Sequence, residues 1–83
     1  MTVAERMRKD GWYLDADAWE WKAVVAGVEI DLAPIGTCLV GEAVAFLWWD
    51  GDIIAIRGRY GLRDLAQRAK AKARELARKR RTV

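Results

Sequence analysis

Polar and apolar positions change period three times along this chain, and each change marks an element. From Trp19 to Val25 the period is two: Trp19, Trp21, Ala23 and Val25 fall on one side, and Glu20, Lys22 and Val24 on the other. That alternation predicts a half-buried strand. Ala26-Gly27 then suits a tight turn, and Val28, Ile30 and Leu32 alternate with Glu29 and Asp31 in a second strand. Pro34 and Gly36 stop it, because proline cannot donate to a ladder and glycine loosens the chain. A mostly apolar stretch from Cys38 to Trp49, with Gly41 as a candidate bulge, leads to Asp50-Gly51, the strongest hairpin signal present, and Asp52 to Arg57 returns as the partner strand. A short helix over 41–47 competes for part of that stretch, but its β-branched and aromatic residues favour a strand.

At Leu62 the period becomes helical. Leu62, Leu65, Ala66, Ala69, Ala73, Leu76 and Ala77 form one apolar stripe. Most of the stripe is alanine, so the helix can approach a sheet closely, with rings such as Trp21 or Trp48 filling the space above it. At the other end, Thr2 with Glu5 three residues on forms a capping box for a short helix over Val3 to Lys9, which Gly11 ends. Trp12 to Asp17 reads as a turn-like lead-in, its spaced aspartates bonding their own backbone. These elements predict an α+β fold in a single domain over 1–83. A short N-terminal helix precedes an antiparallel sheet of three or four strands in two hairpins. A long, amphipathic, basic C-terminal helix packs on one sheet face, with 82–83 and up to 78–83 frayed.

Composition narrows what such a fold can do. The 83 residues include five tryptophans and are 53% hydrophobic, too apolar for a disordered chain. Histidine, serine and asparagine are missing, which removes the usual neutral-pH base, the serine nucleophile and the imidazole metal ligand together. The single cysteine, Cys38, excludes an internal disulfide and a thiolate zinc site and reads as a small buried apolar residue. Asp15, Asp17 and Glu20 lack the glycine and the bidentate glutamate of a calcium loop, and Gly58-Arg59-Tyr60-Gly61 lacks the pattern of a phosphate loop. A binding protein without enzymatic activity, cofactor or metal is expected. No apolar run is long enough to cross a bilayer and no signal-peptide pattern opens the chain, so a cytoplasmic location is expected, with no membrane partner.

Charge supplies the candidate chemistry. The formal net charge is only +3, yet acids dominate from Asp10 to Asp52, where Lys22 is the lone cation, and cations dominate after Ile56. Arg57, Arg59, Arg63, Arg68, Lys70, Lys72, Arg74, Arg78, Lys79, Arg80 and Arg81 form the candidate surface for DNA or RNA phosphates. The plain alternative is a solvated helix whose C-terminal cations complement its dipole. Trp12, Trp48, Trp49 and Tyr60 are candidate anchors of a protein interface. Adjacent strand residues face opposite sides, so Trp48 and Trp49 cannot both enter one core. A second class of function follows, a protein-interaction module such as a phage-type inhibitor of a host complex, using exposed tryptophans and the acidic strands. Two chains could also pair through the open sheet face.

The order of short helix, strands and long basic helix resembles double-stranded RNA-binding domains, and Trp19 to Arg78 is similar in plan to the sheet-plus-helix DNA-binding domains of the Apetala-two type. Leu62-Arg63-Asp64 stands where the RNA-binding family opens its last helix with a lysine pair, so no functional residue carries over. The compact alanine- and arginine-rich style also resembles small accessory proteins of bacteriophages.

Overall fold

The computed structural model describes residues 2–17, 19–33 and 42–81, with side chains through Lys79. Helix α1 (Val3–Lys9) begins where the Thr2 hydroxyl accepts the Glu5 N–H at 3.1 Å and donates to the Glu5 carboxylate. It ends at Asp10, whose N–H bonds back to Arg6, and Gly11 turns the chain with φ of 94°. Five strands follow in sequence order across one antiparallel sheet: β1 (Tyr13–Asp15), β2 (Glu20–Val25), β3 (Val28–Ala33), β4 (Ala43–Trp49) and β5 (Asp52–Gly58). Helix α2 (Leu62–Arg81) closes the order, so the helix continues through most of the stretch expected to fray.

The sheet has one strand more than the upper count read from the sequence. Tyr13-Leu14-Asp15 pairs with Glu20-Trp21-Lys22 as a short edge strand. Three residues are too few to carry a readable alternation, and the last of them, Asp15, also makes the expected local turn, accepting the Asp17 N–H at 3.1 Å. Trp19 does not extend β2. Its φ of 55° takes it out of the strand, and it is 70% exposed. Residues 43–49 are strand rather than helix. Cys38, Gly41, Pro34 and Gly36 lie outside the described residues.

Both two-residue turns have left-handed backbones. Asp50 and Gly51 sit at φ of 51° and 82°, and Ala26 and Gly27 at 53° and 81°. These primed turns match the strand twist, and they lock the register so that Trp49 opposes Asp52 and Val25 opposes Val28.

Register sorts the side chains cleanly. Trp21, Ala23, Val28, Ile30, Leu32, Ala45 and Leu47 point to the helical side, where Leu65, Ala66, Ala69, Ala73 and Leu76 of α2 meet them together with Met7 of α1. Alanine faces alanine here, and α2 lies mainly over β4 and β3. Trp21 is the ring that fills this layer, as its spacing suggested; Trp48 is not, because it points to the opposite face. Trp12, offered as an interface anchor, is only 2% exposed. It packs at the junction of α1 and α2, and this correction follows from its place just outside β1, where no alternation could show its direction.

Candidate nucleic-acid interface and open sheet face

The outward side of α2 carries exposed cations, but its two acids divide them unequally. Asp64 holds Arg68, with Nε to Oδ1 at 3.1 Å, and the Arg68 guanidinium also lies 4.2 Å from the Tyr60 ring centre. Tyr60 is half-buried and can sit there because Gly58 lacks a side chain: a Cβ would meet Cε2 of that ring at 2.7 Å. Glu75 holds Lys72 at 3.3 Å and Lys79 at 3.5 Å. The hydrogen bond and charge of Lys72, then those of Lys79, hold the Glu75 carboxyl below its ordinary value. Lys70 turns inward, donating to the Asp10 carbonyl and lying over the Trp12 ring. Arg57, on β5, pairs with Glu42 at 3.6 Å.

Arg63, Arg74 and Arg78 are left. They are exposed, and no described carboxylate comes within ion-pair distance of them or of Arg59 in the connection before α2. At 100° per residue, Arg63 and Arg74 share one flank of α2 and Arg78 sits on its crest, whereas Arg68, Lys72 and Lys79 share the opposite flank, toward β5. The row from Arg63 to Arg78 is about 22 Å long at 1.5 Å per residue. Arg80 and Arg81 continue the helix, and their side chains lie outside the described set. The sequence-derived candidates therefore do not act as one set: Arg68, Lys72 and Lys79 pair with Asp64 and Glu75, Arg57 pairs with Glu42, Lys70 turns inward, and Arg59, Arg63, Arg74 and Arg78 stay open among the described residues.

The acids of β1, β2 and β3 do not reach these arginines, since they occupy the other face of the sheet. Lys22 stands there between Asp15 at 3.4 Å and Asp31 at 3.8 Å, and the Trp48 indole N–H donates to the second oxygen of Asp31 at 3.1 Å. Asp31 first, then the Asp15 hydrogen bond and charge, raise the Lys22 pKa against the opposing effect of burial. A groove of about 360 Å³ runs over this cluster, lined by Tyr13, Val24, Glu29 and Trp48 among others. Val24 is 63%, Tyr13 57%, Ile53 53% and Trp48 46% exposed. Trp49 is half-buried against the core instead, so the two adjacent tryptophans part as strand geometry demands. Sequence reasoning missed Val24 and Ile53; the parity of the alternation flags them once the core side is known.

Among the described residues no group of three potential metal ligands comes together, and no helix is long and apolar enough to cross a membrane. No protein-family model, curated protein or solved structure matches this chain.

Proposed function

We propose that the protein binds nucleic acid through the phosphate backbone, using the open arginine row of α2. The supporting observation is that Arg63, Arg74 and Arg78, with Arg59 beside the helix start, have no internal carboxylate partner among the described residues. The acids of the strands Asp15, Glu20, Glu29 and Asp31 belong to the other face of the sheet. Four open guanidinium groups on or beside one amphipathic, basic helix suit a row of phosphates, because guanidinium binds two phosphate oxygens at once and remains charged at any working pH. Backbone contact of this kind carries affinity and register rather than sequence choice.

If all four arginines meet duplex phosphates, the slope of log affinity against log salt is about −3.6, at 0.9 per phosphate. Between about 50 and 200 mM salt, affinity then falls by roughly two orders of magnitude. Titration of labelled duplex and single-stranded DNA and RNA across that range measures the slope. Reversing Arg63, Arg74 and Arg78 to glutamate abolishes binding while leaving the circular dichroism spectrum native. Absence of binding by the native chain at micromolar protein in low salt defeats the proposal.

The open sheet face favours a second reading, a protein-interaction surface. Its supporting observation is the exposure of Tyr13, Val24, Trp48 and Ile53 on one side of one sheet. Under this reading Trp48→Ala removes association with a protein partner, and the arginine reversals do not.

A further inference from the structure

We infer that two copies of this chain join through β5, edge to edge, into one continuous antiparallel sheet. The inference rests on the geometry of β5 and is independent of the nucleic-acid reading. The sheet order leaves β1 and β5 at the edges. The β1 edge is three residues long and ends on an aspartate, which is how natural edges are blunted. The β5 edge carries charge only toward its ends, at Asp52 and Arg57, with Ile53 to Ile56 apolar between them. It is seven residues, Asp-Ile-Ile-Ala-Ile-Arg-Gly, each matched one-to-one with β4 without a bulge, and it contains neither proline nor lysine. Long apolar edges of this kind pair with other strands.

The hairpin register tells which backbone groups are open. In a two-residue primed turn the flanking residues, here Trp49 and Asp52, exchange both hydrogen bonds. Bonded pairs then recur at every second position, so Asp52, Ile54, Ile56 and Gly58 bond toward β4. Ile53, Ala55 and Arg57 therefore turn their N–H and C=O groups to the free edge.

This edge is complementary to itself. When a second β5 runs antiparallel with Ala55 opposite Ala55, Ile53 opposes Arg57 and the outward groups of all three residues meet in about six N–H···O bonds. On the helical side the same register sets Ile54 opposite Ile56. Both isoleucines are only half-buried in one copy, because α2 lies over β4 and β3 and leaves a groove between Ile56 and Ala71. The partner's isoleucines close that gap. On the open face the small Ala55 pair at the twofold axis lets Ile53 lie along the stem of the opposing Arg57. The helices of the two copies stand about four strand spacings apart, roughly 19 Å. The flanks that face each other across the twofold carry Arg68, Lys72 and Lys79, which are paired with Asp64 and Glu75, so the cations meet there with their own carboxylates beside them. Pairing by a twofold consumes both β5 edges and leaves only the blunt β1 edges, so assembly stops at two.

Sedimentation of the full chain from low to high micromolar concentration tests the inference, with Ala55→Pro and Ala55→Lys beside it. Proline is tolerated on an edge strand whose N–H faces outward, so Ala55→Pro removes the central intermolecular donors without touching the β4 ladder. Lysine sets two like charges at the twofold. The native chain is expected to dimerise and each variant to weaken the dimer at least tenfold, with native circular dichroism in at least Ala55→Lys. In hydrogen exchange, the amides of Ile53, Ala55 and Arg57 gain protection as concentration rises, while those of Ile54 and Ile56 are protected throughout. A monomer at every concentration overturns the inference. So does a dimer that neither variant weakens, or one in which the Ile53, Ala55 and Arg57 amides stay unprotected.

Discussion

Replacing Ala73 by leucine tests how closely α2 sits on the sheet. Ala73 is fully buried, with Ala69 one turn before it and Leu76 one turn after, on the side of α2 that meets β3 and β4. Leucine adds three carbons where Ala43 and Ala45 already reduce the sheet's own contribution to the space. Were the site empty, each added methylene would stabilise by about 0.8 kcal/mol. In a filled site the same carbons force strained rotamers or push the helix outward, at a cost of about 1 to 3 kcal/mol. For a chain of this size 1 kcal/mol moves Tm by about 4 to 8 °C, so the expected loss is from about 4 to over 20 °C. Thermal melts followed by circular dichroism at the helical band measure it. Ala71→Leu serves as the control at concentrations where the chain is monomeric, because Ala71 is exposed on the same helix and the change there stays within about 0.5 kcal/mol. A melting temperature for Ala73→Leu equal to or above that of Ala71→Leu would refute the close packing.

Two further outcomes follow from local chemistry. Ala26 holds a left-handed φ of 53° at the first turn position, which costs a residue with a Cβ about 1 kcal/mol; Ala26→Gly is expected to raise stability by a few tenths of a kcal/mol up to about 1, and Ala26→Asn to do likewise, read from urea midpoints at unchanged slope. The Glu75 carboxyl is held below its ordinary value of 4.5 by Lys72 and then Lys79, so its contribution is fully present above that value and is lost as pH falls through the lower folded value. The stability gap between the native chain and Glu75→Gln should therefore be small at neutral pH, as befits an exposed group, and should vanish in strong acid; a gap that persists unchanged there contradicts the pairing.

Much of this fold is written in short-range signals. Thr2 and Glu5 mark the start of α1, the Asp50-Gly51 and Ala26-Gly27 pairs mark the hairpins, and the change of period at Leu62 marks α2 to the residue. What stayed hidden depends on register between distant segments. Tyr13 to Asp15 becomes a strand only because β2 offers it an edge, and Trp12 is buried only because α2 and α1 converge on it. The open arginine row was half legible. The density of cations was plain, but Asp64 and Glu75 select their partners by helical position, and that selection separates Arg63, Arg74 and Arg78 from Arg68, Lys72 and Lys79. Lys22 could not be assigned from the sequence either, because its aspartates come from two different neighbouring strands.

The division of the indole rings between the two sides of the sheet gives this protein a built-in optical gauge. Trp12 and Trp21 are sealed in the interior, whereas Trp48 lies in the groove and Trp19 stands in water. Emission from the first pair reports whether the interior is intact, and emission from the second responds to whatever approaches the uncovered side. Comparing the unlabelled chain with a Trp48→Phe variant can thus separate occupancy of that surface from loss of structure, with no dye attached.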